Sequence, residues 1–153
     1  KLAFIFPGQG AQKAGMGKDF YENSEAARSF FDNAQKILDF DLKEMCFGEH
    51  EELNLTEYTQ PCMVSVCLAI VQELKKRGIN PDITAGLSLG EYAAVAAAGG
   101  MNELDAIKLV RRRGILMQST VPAGEGAMAA VLGLDAKKIE QILESLENVW
   151  IAN

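Results

Sequence analysis

The stretch Gly86-Leu87-Ser88-Leu89-Gly90 decides how the rest of this chain is interpreted, because it has the form G-x-S-x-G. A short apolar run precedes it and an alanine-rich run follows it. This order of strand, tight turn and helix is the context that a nucleophile elbow requires. We therefore predict that Ser88 is a nucleophile held at positive φ. Gly86 and Gly90 have no Cβ atom, so they allow the strand and the helix to cross closely at this turn.

The alternative for this stretch is an ordinary turn between strand and helix, with a serine that only faces solvent. G-x-S-x-G alone occurs often by chance, but the strand before it and the alanine helix after it favour the nucleophile. The N-terminus of that helix would also present free N–H groups, which suit a developing oxyanion.

Composition limits the kinds of protein that this chain can be. Its 153 residues are enough for a domain with its own core, and 48% hydrophobic and 24% charged residues are typical of a soluble globular protein. The net charge of −6 argues against nucleic-acid binding and against anionic membranes. The longest apolar run, residues 62–71, is too short to span a bilayer. The three cysteines lack metal-binding spacing, so we expect no metal site and a reducing, cytoplasmic setting.

The N-terminus predicts a strand followed by a glycine-rich loop. Residues 2–6 are apolar throughout, as in a buried parallel strand, and Pro7 ends the run. The glycines on either side of Gln9 permit close approach of the backbone to a ligand, although a plain loop is the alternative. No Gly-Lys-Ser/Thr ending follows, so a phosphate-binding loop is not supported.

Apolar periodicity and capping residues predict the helices. Ser24 is the expected N-cap of the first, Thr59-Gln60-Pro61 is expected to open the central one, and Gly78 to end it. The predicted helices span residues 24–38, 41–47, 59–77, 91–98 and 102–118. With strands at 2–6 and 83–85, this order predicts an α/β fold with a parallel sheet and crossover helices.

Two polar features leave alternatives open. Arg111, Arg112 and Arg113 are spaced about 100° apart around a helix, so they cannot all face one way. They form either a solvated basic face or a set in which one guanidinium turns inward to bind a carboxylate. His50 is the only histidine and lies in an acidic segment, so we interpret it as a surface residue and not as a catalytic base.

The C-terminal part predicts the start of a second domain. Residues 121–126 resemble a hinge, and strands at 127–132 and 149–152 would flank a helix at 136–146 that Asp135 caps. We therefore divide the chain into domains at 1–124 and 125–153. A βαβ unit with only two strands leaves apolar surface exposed, so we expect the chain to be part of a longer protein.

Four motifs occur together in one order along the chain. They are Phe6-Pro7-Gly8-Gln9-Gly10, Thr59-Gln60-Pro61, Gly86-Leu87-Ser88-Leu89-Gly90-Glu91-Tyr92, and Arg113-Gly114 followed by Met117-Gln118. In this combination the chain closely resembles the malonyl-CoA:acyl carrier protein transacylase family, the acyltransferases of fatty-acid and polyketide synthesis. The resemblance covers essentially the whole chain.

The resemblance implies a role for each matched residue. Ser88 would be acylated, and the backbone N–H groups of Gln9 and Leu89 would form the oxyanion hole. Arg113 would bind the malonyl carboxylate, and Gln60 would line the pocket. The implied fold is an α/β-hydrolase-like acyltransferase core, with residues 125–153 forming the first βαβ half of a ferredoxin-like subdomain.

The resemblance also implies what surrounds the site. Malonyl-CoA and the phosphopantetheine thiol of acyl carrier protein would be substrates, with no permanently bound cofactor. The family's catalytic histidine lies in a motif well past the elbow, so this chain is expected to lack it and to need the C-terminal half of the same protein. The alternatives are a serine esterase of α/β-hydrolase type and a non-catalytic fragment or binding module. A basic patch for the acidic carrier would draw on Lys75, Lys76, Arg77 and Arg111.

Overall fold

The computed structural model describes residues 1–121 and 124–152, and the chain divides into two compact units, Lys1–Ala123 and Gly124–Asn153. The predicted hinge at 121–126 includes Pro122 and Ala123, which lie outside the described residues. The first unit contains β1 (Ala3–Phe6), α1 (Lys18–Asn23), α2 (Glu25–Gln35), α3 (Leu42–Phe47), a 3-10 turn (Glu51–Asn54), α4 (Thr56–Lys76), β2 (Ile83–Gly86), α5 (Gly90–Ala97) and α6 (Glu103–Thr120). The second contains α7 (Ala136–Leu143).

The two strands form a parallel sheet, as the sequence predicts. They pair in register from Ala3 opposite Ile83 to Phe6 opposite Gly86. The prediction that β1 is buried on both faces is wrong in this structure: Phe6 is buried, but Ile5 is 78% exposed. Side chains alternate across a strand, so only the face that packs on the helices is covered.

Helix α4 is the centre of the first unit and packs between α2 and α6. Its side chains are buried nearly all round, including Leu68 and Val64, as its continuous apolar sequence predicts. Gly78 ends it at φ +77°, and the N–H of Ile79 donates to the carbonyl oxygen of Leu74 over 2.9 Å. This is the predicted glycine C-cap.

The predicted start of α4 is wrong. The helix begins at Thr56, so Thr59 is not its N-cap and Pro61 lies inside the helix rather than in its first turn. The Thr59 hydroxyl instead donates back to the carbonyl oxygen of Leu53 over 2.6 Å. Two side chains of α6 bond the backbone of this earlier first turn: Gln118 accepts from the N–H of Thr56, and Arg111 donates to the carbonyl oxygen of Glu57.

The first unit has three further helix caps, of which the sequence predicts Ser24 and Asn102 but not Asp41. The N–H of Ala27 donates to the Ser24 hydroxyl over 3.0 Å, which caps α2. Asp41 caps α3 and Asn102 caps α6 in the same way. Helix α2 ends at Gln35, three residues earlier than predicted, and α1 was not predicted. The described residues contain no helix long and apolar enough to cross a membrane.

The predicted βαβ arrangement is not observed in the second unit. Helix α7 is present and Asp135 caps it, but it ends at Leu143 rather than at residue 146. The described residues of 127–132 and 149–152 form no strand, and Met128 and Trp150 are 85% and 78% exposed. A strand forms only where a neighbour pairs with its backbone, so apolar sequence alone does not produce one.

Candidate active site

Ser88 occupies a nucleophile elbow between β2 and α5. Its φ is +49°, as the sequence predicts, and its side chain is exposed. A Cβ atom on Gly86 would collide with the backbone of Gly90 and Glu91, and one on Gly90 would collide with the carbonyl oxygen of Phe6. Only glycine fits at either position, so the crossing of strand and helix fixes where the hydroxyl emerges.

The loop after β1 packs directly against this elbow. The N–H of Leu87 donates to the carbonyl oxygen of Phe6 over 3.1 Å, and a Cβ on Gly8 would lie 2.9 Å from the Leu87 carbonyl oxygen. The Gln9 side chain donates to the Thr56 hydroxyl over 3.0 Å, which ties the loop to α4. The predicted oxyanion loop and the serine therefore lie at the same edge of the sheet.

The backbone donors predicted for the oxyanion hole are available for a ligand. Within the described ranges, neither the N–H of Gln9 nor the N–H of Leu89 donates to a protein acceptor. Leu89 also precedes the first residue of α5, where the helix dipole favours negative charge. These properties suit both groups for stabilising an oxyanion.

Arg113 is the arginine that turns toward the serine, as its predicted role requires. Its Nη1 donates to Gln60 Oε1 over 2.8 Å, and its Nη2 donates to Ser88 Oγ over 3.3 Å. Its guanidinium carbon lies 5.5 Å from the centroid of the Tyr92 ring, within cation–π distance. The adjacent Gly114 allows α6 to approach α4, because a Cβ there would lie 2.8 Å from a backbone oxygen of α4.

The other two arginines face elsewhere, which resolves the alternatives left by the sequence. Arg111 forms a two-pronged bond with Asp39, with both N–O distances at 2.9 Å, and this bond lowers the pKa of that carboxyl. Arg112 is exposed. Arg113 has no carboxylate partner among the residues that the structure describes. Its charge is therefore available to an acidic ligand.

Gln60 is fully buried beside this guanidinium. Its Oε1 accepts from Arg113, and its Nε2 faces Met117 Sδ at 3.3 Å. The buried amide thus fixes one side of the guanidinium fork. Gln60 is not among the residues that line the depression beside Ser88, so its expected place in the pocket lining stays a prediction.

A depression of about 270 Å³ opens beside these groups. Its lining comprises Ser88, Glu91, Tyr92, Val95, Met101 and Arg113. Sequence reasoning assigned no role to the Tyr92 ring, which lies in the first turn of α5. Val95 and Met101 were likewise assigned no role. The depression is small and has one cationic wall.

His50 lies away from this cluster. Its Nε2 is 3.0 Å from Oε1 of Glu44 in the first turn of α3, and its side chain is 33% exposed. Among the described residues, the only side-chain partner of the Ser88 hydroxyl is Arg113. The structure thus brings together the predicted nucleophile, oxyanion donors and cation, and within the described residues no imidazole or carboxylate is hydrogen-bonded to the serine hydroxyl.

Three of the cations considered for carrier binding are already paired. Lys75, Lys76 and Arg77 form ion pairs with Glu103, Glu25 and Glu73 respectively. Arg111 is likewise bound to carboxylates. These pairs neutralise the predicted basic patch. In the described part of the chain, no group of three or more His, Cys, Asp or Glu side chains is placed to hold a metal ion.

Comparison with known families agrees with this site. The model of the acyl transferase domain family matches residues 3–152, so the chain belongs to that family. A relative from Bacillus subtilis (strain 168) named malonyl CoA-acyl carrier protein transacylase is 48% identical over 147 residues. That alignment covers 95% of this chain and 46% of the relative. The family resemblance carried by the sequence motifs is confirmed.

Solved structures show the same similarity in three dimensions. A malonyl CoA-acyl carrier protein transacylase from Clostridium perfringens matches with a TM-score of 0.84 at 43% identity, over 94% of this chain and 46% of that one. A malonyl-transacylase in complex with a type II PKS acyl-carrier protein matches with a TM-score of 0.85 at 40% identity, over 93% and 47%. The chain spans about half the length of the curated relatives it matches.

Proposed function

We propose that the protein containing this chain transfers a malonyl group from coenzyme A to the phosphopantetheine thiol of acyl carrier protein, through an acyl-enzyme on Ser88. The observation that carries this proposal is the contact between the elbow serine and Arg113, a guanidinium with no acidic partner in the described chain. A site that pairs a nucleophile with an unneutralised cation suits an acyl group that carries its own carboxylate.

The first half-reaction follows from the positions of these groups. Ser88 Oγ attacks the thioester carbonyl carbon, and the N–H groups of Gln9 and Leu89 stabilise the oxyanion. The new C–O bond replaces the C–S bond, and coenzyme A leaves as its thiol after taking up the serine proton. The base that carries this proton belongs, in this proposal, to the C-terminal half of the same protein.

The second half-reaction reverses these steps with a different thiol. The phosphopantetheine sulfur of the carrier attacks the serine ester, and Ser88 leaves with its proton restored. Throughout, Arg113 holds the malonyl carboxylate, while Gln60 and the Tyr92 ring keep the guanidinium in place. Two half-reactions that share one acyl-enzyme give ping-pong kinetics.

The remaining expectations belong to the same proposal. Residues 1–124 would form part of an α/β-hydrolase-like acyltransferase core, and residues 125–153 the start of a second domain. Coenzyme A thioester and phosphopantetheine would be substrates in the cytoplasm, with no resident cofactor. The similarity to a malonyl-transacylase solved with a carrier protein supports the choice of acceptor.

The test uses the full-length protein that contains this chain. Incubation with malonyl-CoA should add the mass of one malonyl group to the protein. Carrier protein with a free phosphopantetheine thiol should then remove this group and become malonylated. The Ser88→Ala variant should show no adduct. An adduct that persists in Ser88→Ala would place the nucleophile elsewhere, and release of malonate to water without carrier malonylation would indicate a serine hydrolase.

A further inference from the structure

Helix α4 contains a break in its backbone hydrogen bonding immediately beside the site. Pro61 has no N–H, so it cannot make the helical bond to the carbonyl oxygen of Glu57. A carbonyl without a partner in a packed helix is costly, and the residue before the proline is Gln60, the partner of Arg113. The carbonyl oxygen of Glu57 therefore needs a hydrogen-bond donor from outside α4.

Arg111 supplies that donor from the neighbouring helix. Its Nη1 donates to the Glu57 carbonyl oxygen over 2.8 Å, the bond that Pro61 leaves unmade. The guanidinium lies against the rings of Phe40 and Tyr58, 5.2 and 5.1 Å from their centroids. Its side chain is only 13% exposed. A donor held in this way is fixed in direction, as a mobile surface arginine would not be.

The bond from Arg111 to Glu57 belongs to the same set of contacts between α4 and α6 that position Gln60 and Arg113. Residues 57 and 60 are three apart on α4 and share a face, while residues 111 and 113 are two apart on α6. Farther along, Gln118 Oε1 accepts from the N–H of Thr56 over 3.0 Å. Side-chain contacts therefore join the start of α4 to α6 at several points: Arg111 to Glu57, Arg113 and Met117 to Gln60, and Gln118 to Thr56.

We infer that Arg111 is a positioning residue of the acyl site: by bonding the carbonyl that Pro61 leaves free, it holds Gln60 where it can fix Arg113. This inference rests on the proposed function for its kinetic consequence, but its structural content does not depend on the reaction. It explains why a proline follows Gln60 without loosening the helix.

The test compares four variants of the full-length protein. Arg111→Met removes the bond and keeps the aliphatic stem. Pro61→Ala restores a helical N–H to Glu57, so Arg111→Met/Pro61→Ala supplies the missing bond from within α4. Asp39→Asn is the matched control. It weakens the ion pair of Arg111 with its exposed partner and leaves the bond from Arg111 to the Glu57 carbonyl oxygen in place.

Kinetics give the first readout. We expect Arg111→Met to lower kcat/KM for malonyl-CoA about 10- to 100-fold, as a small misplacement of a binding group does, and to lower it less for acetyl-CoA. The double variant should recover most of this loss, and Asp39→Asn should stay near wild type. Equal losses for both thioesters, or a double variant no better than Arg111→Met, would overturn the inference.

Crystal structures of the same variants give a readout that is independent of turnover. In Arg111→Met the distance from Arg113 Nη1 to Gln60 Oε1 should exceed hydrogen-bonding range, and in the double variant it should return to about that of the wild type. An unchanged distance in Arg111→Met would refute the positioning role, even if wild-type protein failed to react with malonyl-CoA. If the wild-type protein does not react with malonyl-CoA, the proposed function is refuted, but the positioning role is not.

Discussion

Replacing Arg113 with methionine tests the cationic wall of the site most directly. The change removes the guanidinium that contacts Ser88 and keeps a side chain of similar length. Arg112→Met is the matched control, because it removes an equal charge from the preceding, exposed position. We expect Arg113→Met to lose preference for malonyl over acetyl thioesters and Arg112→Met to keep it.

The size of the effect follows from the contacts. A hydrogen bond between charged groups contributes about 1.5–3 kcal/mol, so losing it should lower the malonyl-to-acetyl selectivity about 10- to 150-fold. The variant also leaves the buried Gln60 oxygen without its donor, which costs about 1–3 kcal/mol of stability. This second cost affects both substrates equally, so the ratio of the two kcat/KM values isolates the carboxylate contact.

The assay measures initial rates of carrier acylation by malonyl-CoA and by acetyl-CoA with the full-length protein. Thermal unfolding of each variant shows whether the fraction of folded enzyme has changed. Equal loss of both rates in folded Arg113→Met would refute the reasoning, because the guanidinium would then serve the serine and not the acyl carboxylate. A selectivity loss of the same size in Arg112→Met would refute it as well.

Three further substitutions test the supports of the site. Ser88→Gly should abolish acylation and raise the free energy of unfolding by about 1 kcal/mol, because glycine relieves the strain at φ +49°; chemical denaturation showing lower stability would contradict this. Gly90→Ala should lower the free energy of unfolding by about 1–3 kcal/mol or more, since the new methyl group meets the Phe6 backbone. A denaturation midpoint equal to that of the wild type would show that the elbow can shift. Ser24→Ala should lower the free energy of unfolding by about 1 kcal/mol at neutral pH, because it removes the N-cap of α2. The Ser24 hydroxyl and Arg77 lower the pKa of Glu73, so the stability from this carboxylate is present above its ordinary pKa near 4.5 and is lost as the pH falls below it. Unfolding midpoints between pH 7 and pH 3 should therefore fall less steeply in Ser24→Ala, and an unchanged slope would contradict the pairing.

The elbow was predictable from sequence because its geometry is local. Gly86 and Gly90 lie within two residues of Ser88, and the backbone clashes that exclude other residues arise inside that turn and against the β1 end. The caps of α2, α3 and α6 were predictable for the same reason. Each involves a side chain and an N–H two or three residues away.

The features that sequence reasoning missed depend on distant partners. The start of α4 at Thr56 depends on Gln118 and Arg111, more than fifty residues later in the chain. Which arginine faces the serine depends on how α6 is rotated against α4, and the close approach at Gly114 sets that rotation. No periodicity within α6 contains this information. The strands expected in the second unit likewise require pairing partners that a run of apolar residues cannot specify.

The pairing of β1 with β2 sets the order in which the site can appear during synthesis. Eighty residues separate Ala3 from its partner Ile83. At a translation rate of about 5–20 residues per second, β1 waits roughly 4–16 s before its partner has been made. Over that interval its apolar side chains and unpaired backbone are open to other chains or to a chaperone.

The site itself appears still later on the ribosome. Gln9 is made before the elbow, so it has no elbow to pack against until Ser88 emerges, and the elbow has no cation until Arg113 follows. A nascent chain stalled before residue 113 would carry the serine without the cation beside it. Cross-linking between positions 88 and 113 in nascent chains of increasing length would therefore report when the elbow and helix α6 have joined.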